Sequence, residues 1–359
     1  MLVAILLGLP PADYFTARLH ALVRDQRFDF AAWEVKAIAS KFRVSILNAP
    51  DYLTEAQRKR IVLDYLDLVG QIEFLTQPAI AAYGALAKLK ADKARCQPLA
   101  EAILERQISS VLAEEGLGFP PVSLHFSDPP ALLVVSPRNA IRPRAQVILR
   151  GDLSAGQREA LEKVVERELG TPALIVPLGG LALYPVLLSD SASLEFVVKT
   201  AAHEWAHHWL FWRPLGWYYD QSDEARTINE MVATLVGDEI GNKVLMRYYP
   251  ELAISSPPPA FDYQAELRLT SAIAARLLAE GRIAEAEAYM EARRRFFAER
   301  GLLLTRMNQA YFAFHNPYLG DGPIGLAVLR LRQQSATLRE FLTAVSGVTT
   351  FAELQRLEQ

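Results

Sequence analysis

Within Ala202-His203-Glu204-Trp205-Ala206-His207, two imidazoles stand four residues apart, a spacing that sets both on one face of a helix where they can grip a single cation. Glu204 follows the first imidazole and is placed to take a proton from a water polarised by that cation. The chemistry such a group performs is metal-assisted hydrolysis, with zinc as the expected ion.

Two ligands do not complete a catalytic zinc site, which takes a third protein ligand and keeps one position for water. Glu230 is the preferred third ligand, because Thr227-Ile228-Asn229-Glu230-Met231-Val232-Ala233-Thr234 puts a carboxylate into a helix flanked by Val232, Leu235 and Val236. A carboxylate there needs a partner, and a shared cation supplies one. Asp223, Glu224, Asp238 and Glu239 are the alternatives, and Cys96 lies far upstream. His208 falls on a different helical bearing and is expected to serve packing or to support a ligand, while His20, His125 and His315 are isolated.

One Zn2+ held this way polarises a carbonyl, and Glu204 passes the water proton to the leaving amine, so peptide hydrolysis is the favoured outcome. Tyr184, Tyr218, Tyr219, Tyr311 and His315 are candidate donors to the oxyanion, and of these Tyr219 and Tyr311 are carried forward as catalytic. An extended peptide is expected to bind at Gly180, Leu181, Ala182 and Tyr184, pairing with the edge of the strand that runs from Leu181 to Leu188. Gly179-Gly180 would permit close approach at its mouth.

The elements that must position these residues change character along the chain. From Phe28 to about Gly116 the spacing is helical, with a capping box at Thr54-Glu55-Ala56-Gln57, a helix over Ala85 to Arg95 and another opened by Pro98. Val122-Phe126, Ala131-Val135 and Ala145-Leu149 are short, rich in β-formers and bounded by turn residues, so they are predicted strands. A helix capped by Ser154 runs to about Leu169, and the pair of apolar runs from Ala173 to Leu188, broken by Pro177 and Pro185, suits a sheet edge. Helix resumes at Ser193, and Ala233, Gly237 and Gly241 would let the second helix approach the first closely. The expected fold is α+β and mostly helical, a small mixed sheet with a zincin-like active-site helix pair plus an N-terminal helical region. Its expected divisions are 1–118, a helical hairpin or bundle; 119–250, the catalytic core; and 251–359, a helical subdomain closing the cleft.

With 51% hydrophobic residues in 359, the chain can bury a large core, and 38 basic against 41 acidic residues leave a formal charge of -3 that asks for no nucleic acid. The one cysteine excludes an intrachain disulfide. Residues 1–9 are apolar but stop at Pro10-Pro11, too short to span a bilayer. If they end a longer segment, membrane association through the N-terminus and a membrane or extracytoplasmic location follow; otherwise the location is cytoplasmic. Oligomeric state is not set by the sequence.

At His203 to His208 together with Asn229-Glu230-Met231-Val232-Ala233 the chain resembles the gluzincin metallopeptidases, the superfamily of thermolysin-like enzymes and zinc aminopeptidases. It looks closer still to a group of bacterial aminopeptidases or zinc peptidases, through Gly179 to Pro185, His203 to Tyr219 and Tyr248-Tyr249-Pro250. The general likeness covers about residues 120 to 245. The resemblance implies zinc on His203, His207 and Glu230 with Glu204 activating water. Two departures stand out. Thermolysin-like members carry an Asp four residues after the ligand Glu to brace an imidazole, where this chain has Thr234, with Asp238 a distant substitute. The Gly-Ala-Met-Glu-Asn signature that holds a free substrate amine is absent, so exopeptidase specificity is not implied. Two other functions remain open: a noncatalytic peptide-binding or scaffold protein retaining a peptidase-like core, and a zinc hydrolase of another amide or ester.

Overall fold

The computed structural model describes residues 14–45, 49–75, 83–190, 193–252, 261–319 and 322–358. The chain is mostly helical α+β, as expected, with strands β1 Leu124–Phe126, β2 Ala131–Val135, β3 Ala145–Leu149, β4 Ala173–Pro177, β5 Gly180–Leu181 and β6 Val186–Leu188. These form two three-stranded sheets. The chain divides into two compact units, one of residues 1–28, 130–178 and 258–326, the other of 29–129, 179–257 and 327–359. Each unit holds one sheet.

In the first unit β2 is central and antiparallel to both β3 and β4. Successive residues of a strand face opposite sides. Leu133 and Val135 accordingly join Leu19, Val23 and Val165 in one core, while Val134 and Leu174 join Leu267, Phe297 and Phe312 in another. Burial on both faces explains why Ala131-Leu132-Leu133-Val134-Val135 carries no polar alternation. The helix Ala155–Leu169 begins with a capping box between Ser154 and Gln157 and ends at left-handed Gly170, φ 63°.

The second unit carries the helices Phe30–Ser45, Glu55–Leu75 and Tyr83–Glu114. Thr54 and Gln57 cap the second reciprocally, the Gln57 N–H donating to Thr54 Oγ1 at 3.3 Å and the Thr54 N–H to Gln57 Oε1 at 2.8 Å. The break expected at Pro98 does not occur: the helix runs through it from Tyr83 to Glu114. Proline in a helix interior costs about 3 kcal/mol, but the turns after it bury Ala100, Ile103, Leu104, Ile108 and Leu112. Gln97 is also tied to the Phe126 carbonyl at 2.7 Å, so packing outweighs the lost hydrogen bond.

The sheet of this unit is mixed, in the order β1-β6-β5, with β6 parallel to β1 and antiparallel to β5. Beside it lies the helix Leu194–Phe211, which carries the HExxH residues, and against that helix packs the helix Asp223–Tyr248, which carries Glu230. Serine caps start both: Ser193 accepts from the Phe196 N–H and Ser222 from the Ala225 N–H, each at 3.3 Å. The two helices pack closely because Gly237 and Gly241 present no side chain. A Cβ at Gly237 would stand 2.7 Å from the Lys199 carbonyl oxygen, and one at Gly241 2.5 Å from Lys199 Cγ.

Membrane association through the N-terminus needs correction. Among the described residues no helix is long and apolar enough to cross a membrane. The apolar run 1–9 itself lies outside the described residues.

Candidate metal centre

The HExxH helix buries Val197, Val198, Ala201, Ala202, Trp205, Ala206 and Leu210, which fixes its rotation and turns His203, Glu204 and His207 to the other side. The Nε2 atoms of His203 and His207 face each other at 3.0 Å. Glu230 brings Oε2 to 3.5 Å from His203 Nε2 and 3.7 Å from His207 Nε2. Ligands about 2.0–2.1 Å from a tetrahedral zinc stand about 3.3 Å apart, so these three atoms have the spacing of a shared ion. They are the group of metal-ligating side chains found among the described residues, all within 4.8 Å of one another.

The donor set passes a second test. Glu230 Oε2 is buried with no hydrogen-bond partner, whereas Oε1 accepts from the Tyr219 hydroxyl. An orphaned buried carboxylate oxygen is costly, and a divalent cation is the partner its position calls for. Burial works to raise this carboxyl, but the two imidazoles and the Tyr219 hydroxyl outweigh it and hold it down at about 2, so it is an anion ready to ligate.

Two of the ligands are held from behind, Glu230 by Tyr219 and His207 by Asn229. His207 Nδ1 lies 2.8 Å from Asn229 Oδ1, and Asn229 Nδ2 donates to the Leu215 carbonyl at 3.2 Å. That second bond orients the amide so that its oxygen accepts from Nδ1–H, leaving the Nε2 lone pair for a metal. Asn229 is therefore a brace that the sequence reading missed. It was findable by the argument that found Glu230, since an amide at 2% exposure in a helix also needs a partner. Burial depresses the His207 imidazole to about 4, which keeps it neutral and able to coordinate.

Glu204 is not a ligand in this geometry. Burial pushes its carboxyl up to about 7, with His203 opposing and Glu230 adding to the rise, which places it where a general base works near neutrality. Gly180 of β5 lies directly against it: a Cβ there would stand 2.8 Å from Glu204 Oε1 and 2.8 Å from Thr200 Cγ2. The Gly179 carbonyl accepts from the Ser189 N–H at 2.9 Å. In an antiparallel ladder the next residue then points its N–H and C=O away from the partner strand, so those of Gly180 face outward.

The remaining candidates fall as follows. Leu181 completes β5, and His208 hydrogen-bonds the main chain at Ala182 and Leu183 while its ring meets that of Tyr184 edge-on at 5.7 Å. Tyr219 stands at the ligands, on Glu230 and 6.0 Å from the His207 ring. Tyr218 is exposed. Tyr311 belongs to the first unit, buried in the helix Gln309–Leu319 with its ring 4.3 Å from that of His315. Of the alternative third ligands, Asp223 pairs with Arg226, Asp238 with Lys199 and Glu239 with Lys243 and Arg332, and Glu224 accepts from the Phe351 N–H.

No family model, curated protein or solved structure matches this chain. The His203-Glu204-x-x-His207 and Glu230 arrangement nonetheless matches the geometry of the gluzincin HExxH zinc-peptidase motif. It defines a zinc-binding hydrolytic site with one ion on three protein ligands.

Proposed function

We propose that this protein is a zinc-dependent metallopeptidase with Glu204 as general base. The observation that carries the reading is the convergence of His203 Nε2, His207 Nε2 and the orphaned Glu230 Oε2 on one point, with a carboxyl of neutral pKa beside it. Zinc held by these residues supplies Lewis acidity toward a carbonyl oxygen and lowers the pKa of water.

The chain's own groups do the rest. Glu204 accepts the proton of a water whose oxygen adds to the scissile carbonyl carbon. It then delivers that proton to the nitrogen as the carbon–nitrogen bond breaks, regenerating the carboxylate. Gly180 offers an extended peptide outward main-chain groups beside this base, and the peptide's course continues past Leu181 and Ala182, whose main chain is shared with His208, to Tyr184. Tyr219 fixes Oε1 of Glu230 so that Oε2 alone is left to the ion, and Asn229 sets the His207 tautomer.

The test joins metal quantification to cleavage of a peptide library. The parent is expected to hold one zinc and to cleave. Glu204→Gln is expected to hold the same zinc and to lose about 10²–10⁴ in turnover. Equal cleavage by both would remove the proposed base. Glu230→Gln is expected to lose zinc in dialysis against a chelator that leaves the parent loaded.

A further inference from the structure

The segment from Gly179 to Tyr184 tracks the HExxH helix turn by turn. Gly179 lies against the Phe196 ring, Gly180 against Thr200 and Glu204, and the main chain at Ala182 and Leu183 against His208. Strand edge and helix therefore run the same way, and a peptide paired with that edge lies along the helix. Its course toward the helix C-terminus passes His207 and His208 and then meets the next turn of the same face.

That turn carries Phe211, four residues after His207 and three after His208, followed by Trp212, four after His208. The two rings meet edge-on at 5.1 Å, and one turn back along the helix the Tyr184 ring meets that of His208 at 5.7 Å. Tyr184, Phe211 and Trp212 are 47%, 57% and 66% exposed, so that much of each of these large rings faces water. Arg213 is occupied elsewhere, its guanidinium 3.2 Å from the Trp209 ring centroid.

We propose that Tyr184, Phe211 and Trp212 form a specificity shelf for a bulky apolar side chain of the substrate, at one fixed position on the Tyr184 side of the scissile bond. The proposal rests on the peptidase reading above. The occupant is a substrate side chain because the shelf continues the helix face that carries the ligands and lies at the end of the edge on which the peptide runs. Rings there gain by covering an apolar side chain and gain nothing from alanine.

The experiment compares zinc-loaded parent with the double variant Phe211→Ser, Trp212→Ser on peptides that place Ala, Leu or Phe at each position around the cleaved bond. The parent is expected to favour Leu and Phe over Ala at a single position by roughly tenfold or more in kcat/KM, carried in KM. In the double variant that discrimination is expected to fall to about twofold or less. Binding of the same peptides to zinc-loaded Glu204→Gln, followed by tryptophan fluorescence, is expected to rank them in the same order without turnover. Equal zinc content in parent and variant establishes that the variant's site is folded. Cleavage without a preferred position, a preference that survives in the double variant, or a change in oligomeric state alone would overturn the shelf. Failure of the loaded parent to cleave any peptide would instead overturn the peptidase reading beneath it.

Discussion

Each of the two sheets closes one edge by the same device, and among the described residues the edge left bare lies beside Glu204. In the first unit, the outward N–H groups of Ala173 and Ile175 on β4 donate to Glu166 at 3.3 Å and Glu162 at 2.7 Å, and Arg306 holds both carboxylates at 2.6 Å. In the second, Leu124 and Phe126 on β1 donate to Glu105 at 2.7 Å and Glu101 at 2.8 Å, and Lys41 holds both at 2.8 and 2.7 Å. The device works because four residues of helix rise about 6 Å and two residues of strand about 6.6 Å, so glutamates one turn apart meet alternate N–H groups. At the far edge of the first sheet, the Phe28 N–H donates to the Ile148 carbonyl at 3.1 Å and the Arg150 N–H to the Gln26 carbonyl at 2.8 Å. Among the described residues nothing caps Gly180 on β5. Bare edges recruit other chains, and here the bare edge is the one where a peptide would meet the catalytic base.

The carboxylates differ in the same way. Glu101, Glu105, Glu162 and Glu166 are held by a lysine or arginine of the chain, whereas Glu230 Oε2 makes no hydrogen bond and faces only the two ligand imidazoles at 3.5 and 3.7 Å. The largest expected effect breaks an internal pairing. Lys41→Met strips Glu105 to the Leu124 N–H and leaves Glu101, 1% exposed, with His125 Nδ1 at 3.0 Å, Gln97 Nε2 at 2.8 Å and the Phe126 N–H; it should lower stability by about 3 kcal/mol, the low end for breaking a buried pair. Urea unfolding measures it, and a loss under about 1 kcal/mol would mean that the main-chain N–H groups, with Gln97 and His125, sustain these carboxylates without the lysine.

Next in size is the open edge itself. Gly180→Ala sets a methyl group against Glu204 Oε1 and Thr200 Cγ2, so the edge or the Glu204 carboxylate must shift, and misplacing a reacting group by about 1 Å costs roughly a hundredfold in kcat/KM. Zinc content should stay at the parent's level, since Gly180 touches no ligand. Undiminished kcat/KM on library peptides would detach this edge from the chemistry.

How much of this the sequence disclosed follows from the range of each interaction. Spacings of three or four residues carried His203, Glu204, His207, the Ser154 and Thr54 caps and the limits of β2 and β3 without loss, because each is decided by neighbours on one element. Glu230 was found as a charge that its own helix could not satisfy. The split into two sheets was not visible: β6 pairs with β1 across the chain interval that holds β2, β3 and β4, and nothing local to Val186-Leu187-Leu188 distinguishes that partner from β4. Pro98 was misjudged because the packing that carries the helix through it comes from distant residues. Asn229 was as legible as Glu230, since an uncharged amide buried in the same apolar helix equally needs a partner.

Asn229→Ala tests that amide and sharpens the contrast between carboxylates partnered by a lysine or arginine and the one at the metal centre. Without the amide oxygen, His207 loses the partner that fixes its tautomer, and zinc affinity is expected to fall about 10–100-fold by competition with a chelating dye. Tyr219→Phe should act in the same direction through Glu230 Oε1. Unchanged affinity in both would show that the helix pair alone orients the ligands.

The smallest expected effect weighs the two capping devices against each other. Arg306→Met removes the cation from Glu162 and Glu166 as Lys41→Met does from Glu101 and Glu105, but the surroundings differ. The Glu166 side chain is 29% exposed and can turn to water, while Glu162 keeps the Ile175 N–H at 2.7 Å. Burial already raises the Glu162 carboxyl above its ordinary range, so once Arg306 is gone it can take up a proton rather than remain a naked charge. The loss should therefore be about 1–2 kcal/mol in urea unfolding, below that of Lys41→Met. A loss as large as at Lys41 would mean that the arginine, not the exposure of its partners, governs how firmly this edge is closed.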